Sequence, residues 1–230
     1  MEKKKILEEL LRALDIDCII PNKYDDMEKI WFKLVTTKTY LDIPSEVLLL
    51  EDKILRMNMI NKKIKNSEML KTIKEEYGYE YNCSNKICLI KGDISLIYTD
   101  IIVNTLDNKK VSDLLFFKGG IRLKNKYNLS KDNDIVITRA YNLPCDMVIH
   151  TNSPNKVDEI DGFVRNILDT ANNNISKIIV IPCLEKKYHI KRLIDSIVNY
   201  LNIKGGNFSK VVLCTDSDDI YSKYLEVFAK

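Results

Sequence analysis

The sequence predicts an α/β fold, in which a mixed sheet lies between layers of helices as a three-layer α/β/α domain, preceded by an all-helical N-terminal extension. From residue 84 onward, short strand-like runs alternate with runs of helical periodicity, the pattern of a sheet covered on both faces. Two of these runs, at 178–181 and 211–213, are continuously apolar, as central buried strands are. Before Gly78, by contrast, there is neither a glycine nor a strand-like run.

The extension, residues 1–80, is predicted to form a series of amphipathic helices. In residues 1–15 the apolar side chains recur at helical spacing between charged ones, and the same holds for 25–35. Further helices are predicted from Pro44 to about residue 59 and over 67–75. Because isolated helices with narrow apolar faces are marginal in water, we expect the extension to pack on another surface.

The second unit, residues 84–230, carries the alternating pattern. Strands are predicted at 87–91, 100–104, 134–138, 147–150, 177–182 and 210–215. Helices are predicted at 111–117, 158–172, 188–201 and 218–228. Ligands of such folds bind at the carboxyl ends of the strands, so the loops after these ends are where functional residues are expected.

Composition limits the classes of function. Among 230 residues, Lys and Arg outnumber Asp and Glu by 36 to 33, which gives no strong nucleic-acid signal. No apolar run reaches the roughly 18–20 residues that span a bilayer, and the amphipathic start is unlike a signal peptide, so no membrane partner and a cytoplasmic location are expected. The six cysteines, Cys18 among them, are expected to be reduced thiols. No P-loop or dinucleotide fingerprint occurs, and no cofactor is predicted.

Five short motifs occur in a specific order. They are KGDIS (91–95), TDIIVN (99–104), ITRAYNLP (137–144), MVIHTNSP (147–154) and TD (215–216). Together they resemble the macrodomain family, which implies a macrodomain-like mixed sheet. The helical leader, with its IPN (20–22) and IPSE (43–46) turns, is similar to that of a bacterial branch of zinc-dependent hydrolases that act on ADP-ribosylated proteins.

The resemblance implies roles for particular residues. Asp93 would accept a hydrogen bond from the adenine amino group of ADP-ribose, and the Ile94 N–H would meet a ring nitrogen. Asn104, with Asp107 at the position of a second family asparagine, would position ribose and water as the candidate catalytic pair. Ligand binding would also involve Asn104, and the turn formed by Gly119 and Gly120. Two simpler interpretations stay open: Asp93 as a turn-capping carboxylate, and Asp107 as a solvated loop residue.

The chain departs from the family at three places. Residues 108–120 contain no Cys or His, so the zinc ligands of the related branch are missing and no metal site is predicted. The loop after residue 182 reads CLEKKYH, without the glycines that bring backbone N–H groups to a diphosphate. Cys214 stands where the family has a stacking aromatic side chain.

Three functions are compatible with these features. The first is a degenerate macrodomain that binds ADP-ribose, an ADP-ribosylated protein or another partner without catalysis. The second is a protein-ADP-ribosyl hydrolase with an altered, metal-independent site. The third is a structural or assembly protein with an inert macrodomain fold, whose N-terminal helices dock on a protein partner. Two histidines are expected to be inert: His150 as a buried structural residue and His189 as an exposed one at a helix start.

Overall fold

The computed structural model describes residues 2–15, 17, 19–40 and 42–229, so Cys18 lies outside the described residues. The extension comprises α1 (Glu2–Leu14), α2 (Tyr24–Thr37) and α3 (Ser45–Met59), followed by the two-residue strand β1 (Lys65–Asn66) and the short helix α4 (Ile73–Tyr77). The prediction of a helical N-terminal extension is therefore confirmed from α1 to the end of α3.

The main sheet confirms the predicted α/β/α class. Its strands are β2 (Ile87–Lys91), β3 (Ile97–Thr105), β4 (Val136–Arg139), β5 (Cys145–Thr151), β6 (Ile178–Pro182) and β7 (Lys210–Thr215). They lie in the order β2-β7-β6-β3-β5-β4. Because β4 is antiparallel to β5 while the other pairs are parallel, the sheet is mixed. The helices are α5 (Lys109–Gly119), α6 (Ile121–Asn128), α7 (Ile160–Asn173), α8 (Lys187–Lys204) and α9 (Asp218–Phe228).

Alternate residues of the central strands face two separate cores. Ile179 and Ile181 of β6 pack with the buried faces of α7, α8 and α9, whereas Ile178 and Val180 pack with α5 and α6. This period of two is what a strand covered on both sides requires. A third cluster joins α1, α2 and α3 to the outer sides of α5 and α6 through Phe117 and Ile121. The extension thus forms an additional layer on one side of the domain.

Two sequence predictions for the extension's end are wrong. The helix predicted over 67–75 is divided into a 3-10 turn (Ser67–Met69) and α4, because Thr72 and Glu75 form a capping box that starts a new helix. Strand structure also occurs before Gly78, since β1 pairs in parallel with the start of β3. This pairing adds a backbone connection between the residues that precede the main domain and its central strand.

Helix α6 begins directly at the glycine pair that the sequence suggests is a turn. Gly120 adopts φ 84°, a conformation that suits glycine, and Ile121 begins the new helix. Among the described residues, no helix has the length and apolar character needed to cross a membrane.

Candidate functional site

A cleft of about 660 Å³ opens at the carboxyl ends of β2, β6 and β7. It is lined by the loops after these strands, by the first half of α5 and by the start of α9. Its volume lies within the roughly 300–1,000 Å³ of small-molecule sites, and its position is where open α/β sheets bind ligands. The cleft is therefore the candidate binding site.

Asp93 lies in this cleft and serves the turn after β2. Its Oδ1 atom accepts hydrogen bonds from the Ser95 N–H at 2.8 Å and the Ser95 hydroxyl at 2.6 Å. Its Oδ2 atom has no hydrogen-bond partner among the described residues, and Ile94 lines the cleft beside it. The carboxylate thus caps the turn with one oxygen and leaves the other for a ligand donor.

Asn104 lies in the core near the end of β3. Its side chain is fully buried, and Nδ2 lies 3.1 Å from Nδ1 of His150. The His150 Nε2 atom lies 2.9 Å from the Thr138 hydroxyl, and the imidazole stacks on Phe116 with ring centroids 5.4 Å apart. Asn104 does not line the cleft, so its visible contacts are those of a buried network with His150.

Asp107 is exposed and faces a different, smaller cavity of about 290 Å³. Its Oδ1 atom accepts a hydrogen bond from the Ser153 N–H at 2.6 Å, which ties the loop after β3 to the loop after β5. The structure therefore separates Asp107 from Asp93. These residues do not line a common cavity.

Gly119 and Gly120 also lie outside the lining of the cleft. Both are buried, and a Cβ atom on Gly120 would meet the Glu51 carboxylate at 2.7 Å. Glu51 belongs to α3, and its Oε2 atom accepts a hydrogen bond from the Ile121 N–H at 2.8 Å. The missing side chain of Gly120 thus leaves room for the Glu51 carboxyl group at the start of α6.

The cleft is acidic. Its charged lining residues are Asp93, Lys110, Glu185, Asp216 and Asp219. Lys110, the one cation among them, lies 2.5 Å from an oxygen of Asp216. A diphosphate in this cleft would therefore meet an excess of negative charge, which weakens anion binding.

Two thiols in the cleft are unsuited to nucleophilic chemistry. Burial raises the pKa of Cys214 to about 12, and burial together with the neighbouring Cys214 raises the pKa of Cys183 well above its ordinary value. The thiolate is the reactive form of cysteine, so both side chains are inert near neutral pH.

Two residues near these cavities were not assigned a role from the sequence. Phe32, from α2 of the extension, lines the cleft, and its ring lies edge-on to Phe117 with centroids 5.1 Å apart. His189, expected to be exposed, is only 2 % exposed, which corrects that prediction. Phe32 precedes Asp93 by about 60 residues along the chain, and no sequence pattern connects the two.

A zinc centre does not fit these residues. Among the residues that the structure describes, no group of three or more His, Cys, Asp or Glu side chains is arranged to hold a metal ion. Residues 108–120, where the related branch carries its ligands, contain neither Cys nor His.

Solved structures with the same architecture are macrodomains. A macrodomain of Trypanosoma brucei in complex with ADP-ribose aligns with a TM-score of 0.62 at 18% identity, over 85% of this chain and 94% of that one. The same protein in complex with ADP aligns over 96% of this chain and 95% of that one, with a TM-score of 0.63 and 18% identity. The GDAP2 macro domain aligns with a TM-score of 0.62 at 21% identity, over 73% of this chain and 97% of that one. This chain therefore has the same fold as these macrodomain structures.

Sequence comparison also finds a similarity to macrodomain proteins. The family model described as "Macro domain" matches residues 107–187. Human ganglioside-induced differentiation-associated protein 2 is 24% identical in an alignment 182 residues long, which covers 68% of this chain and 37% of that protein. This chain therefore spans little more than a third of the length of that relative. The chain is therefore similar to the macrodomain family over these residues.

Proposed function

We propose that this macrodomain is a binding module that holds an ADP-ribose-type ligand in the cleft and does not hydrolyse it. The observation that carries the proposal is the Asp93 carboxylate, whose Oδ2 atom is left without a partner in the described part of the chain. A carboxylate oxygen is a strong acceptor for an exocyclic amino group such as that of adenine. The complex of the Trypanosoma brucei macrodomain with ADP-ribose supports the choice of ligand.

The Asp93→Asn variant tests this contact. The amide oxygen can still accept from Ser95, so the turn is kept, whereas an NH₂ group replaces the oxygen that faces the ligand. We expect calorimetry to show binding of ADP-ribose by the unmodified protein and affinity about tenfold or more weaker for Asp93→Asn.

A matched variant, Asp219→Asn, removes a different carboxylate from the lining of the same cleft. It should bind ADP-ribose at least as tightly as the unmodified protein, because it lowers the negative charge without touching Asp93. Equal weakening by both substitutions would contradict the specific role of Asp93. Absence of heat with millimolar ADP-ribose would contradict the proposed ligand.

The surroundings of the two candidate catalytic residues support a role without catalysis. Asn104 is buried against His150, and Asp107 is bound to the Ser153 N–H outside the lining of the cleft. Neither therefore lies ready to position water beside a ligand at Asp93. Release of ADP-ribose from a mono-ADP-ribosylated protein, lost in Asp107→Ala, would instead favour the alternative of a metal-independent hydrolase.

A second prediction follows from the acidic cleft. Glu185 is exposed in the glycine-free loop after β6 and lines both cavities. Replacing it by Gln removes a negative charge near the expected path of the diphosphate, so we expect ADP-ribose affinity to rise roughly threefold at low salt and less at high salt. Glu226→Gln, an exposed change on α9 away from both cavities, is the control and should have no effect. Unchanged affinity of Glu185→Gln at low salt would show that the diphosphate does not approach this loop.

The ligand can also be presented on a protein. An ADP-ribosylated protein would place its nucleotide in the cleft, while the extension offers exposed apolar side chains such as Ile19, Leu49 and Ile60. The main apolar faces of α1, α2 and α3 are already used inside the chain. These exposed apolar side chains are the observation that supports a protein partner on the extension. They equally support the alternative of a structural protein with an inert fold.

A further inference from the structure

Glu51 is a buried carboxyl group that joins the extension to the sheet domain. It belongs to α3 and is 1 % exposed, and its two oxygens accept hydrogen bonds from the Trp31 indole of α2 and from the Ile121 N–H at the start of α6. Neither donor carries a charge. A buried charge is costly unless an opposite charge balances it. The two donors therefore satisfy the oxygens of Glu51 without balancing its charge.

The charged groups that act on Glu51 form a cluster that is neutral only when Glu51 carries a proton. They are Asp52 of α3 and Arg122 of α6. Asp52 pairs with Arg122 at 2.7 Å and accepts a hydrogen bond from the Asn142 amide at 2.9 Å. Because Arg122 is already paired, ionisation of Glu51 adds a second negative charge against one positive charge. Burial, aided by Asp52, raises the pKa of Glu51 to about 7, so this change falls near neutral pH.

The other elements around Glu51 present apolar or neutral groups in the described part of the chain. The buried face of α1 consists of Ile and Leu side chains, and α5 contributes Phe117. Tyr40, which follows α2, stays a neutral phenol, because burial raises its pKa to about 12. Asp15, which follows α1, is paired with Lys38 at 2.7 Å. None of these groups supplies a positive charge to an ionised Glu51.

Contacts lead from Glu51 to the cleft through α2. Trp31, which donates to Glu51, lies edge-on to Phe117 with ring centroids 4.6 Å apart. The next residue, Phe32, packs on the same ring at 5.1 Å and lines the cleft. A shift of α2 and α3 at Glu51 would therefore move a residue of the cleft wall.

We propose that Glu51 is a proton-operated latch: its protonated form holds the extension on the sheet domain, and its ionisation loosens α2 and α3 and displaces Phe32 at the wall of the cleft. An ionised carboxylate gains water when α3 moves away from the start of α6, whereas the neutral form has no such gain. The shape of the cleft then depends on pH. The latch is a property of the protein alone, so its failure would leave the proposed function untouched.

Trp31 is the single tryptophan of the chain, so its fluorescence follows the latch in the unmodified protein. We expect its emission to change in one transition between about pH 6 and 8. Glu51→Gln cannot ionise and should show no transition in this range, whereas Glu9→Gln, an exposed change on α1, should keep it. Emission that does not depend on pH, or a transition retained in Glu51→Gln, would overturn the proposal.

Hydrogen exchange measures whether the transition is a movement. After correction for the intrinsic dependence on pH, amides of α2 and α3 should exchange about tenfold or more faster at pH 8 than at pH 5.5, and Glu51→Gln should lack this increase. At pH 8 they should also open at a lower free energy than the amides of α7, which lies in a separate core. Equal opening of α3 and α7 would mean global unfolding without a latch. A response of α3 without one at Phe32 would remove the connection to the cleft.

The variant Asp52→Asn tests the charge balance without changing Glu51. The amide oxygen can still accept from Asn142, while the loss of a negative charge leaves Arg122 to balance an ionised Glu51. We therefore expect the fluorescence transition of Trp31 to move to lower pH. A midpoint that stays in place or rises would show that these charges do not operate the latch, and the proposal would be wrong.

Discussion

Replacing Glu51 by alanine is expected to lower the free energy of unfolding by about 2–4 kcal/mol. The buried carboxyl group accepts hydrogen bonds from the Trp31 indole at 3.3 Å and from the Ile121 N–H at 2.8 Å, so its removal leaves two buried donors unpaired. It also removes the contact by which α3 caps the start of α6. Chemical denaturation at pH 6 measures the effect, with the exposed Glu9→Ala on α1 as control, expected within about 0.5 kcal/mol of the unmodified protein. If Glu51→Ala lowered the free energy of unfolding by no more than the control does, this contact would not stabilise the fold.

Glu51 also gives stability a dependence on pH. Burial raises its pKa from 4.5 to about 7, so the folded protein holds this proton more tightly than the unfolded chain does. The contribution is fully present below about pH 4.5 and is lost as the pH rises through about 7. Glu51→Gln cannot titrate and leaves one donor unpaired at every pH. Between pH 5 and 8, we therefore expect the unmodified protein to lose roughly 2–3 kcal/mol relative to Glu51→Gln. A constant difference between the two proteins would contradict the raised pKa.

The second large effect is expected at His150, where stability falls as the pH is lowered and not as it is raised. Burial, aided by nearby Lys124, lowers the pKa of this imidazole to about 3. Its ordinary value is 6.5, so the folded protein resists a proton that the unfolded chain accepts. The stability that this group contributes is present above about pH 6.5 and is lost as the pH falls toward 3. From pH 7 to 4 the loss is about 3 kcal/mol.

Denaturation at pH 7 and pH 4 checks this for the unmodified protein and for His150→Leu. The variant should be about 2 kcal/mol less stable at pH 7, because Asn104 and Thr138 lose their partner, but should lack this part of the acid sensitivity. The NMR signals of the folded protein give a direct measurement. If His150 took up a proton near pH 6.5 in the folded protein, its pKa would not be lowered and this prediction would be wrong.

The main sheet could be predicted from the sequence because its pattern is local. The apolar runs that became β6 and β7 are bounded by polar residues, and burial on both faces allows few other arrangements. Helix α6 was missed because the segment IRLKNKYN buries only Ile121 and Leu123, too few positions to show a helical period. Strand β1 was missed because two exposed residues, Lys65 and Asn66, carry no strand signal without their partner β3.

The site was harder to predict, because motifs give order along the chain but not the direction of side chains. The role of Asp93 was implied by the family resemblance, and this residue does line the cleft. The sequence could not indicate that Asn104 faces His150 in the core. Phe32 and His189 depend on how distant segments pack, and a lone aromatic or histidine on a helix has no pattern of its own.

The glycine pair before α6 has a consequence for how the chain can be divided. Glu51 of α3 occupies the space that Gly120 leaves open, and Phe117 and Ile121 are buried beneath the helices of the extension. Expressed without residues 1–80, the sheet domain would carry a bare apolar strip and an uncapped helix start, which favour aggregation. The boundary near residue 80 is thus a change of sequence pattern rather than a place to cut. The smallest piece that folds well is expected to include α3.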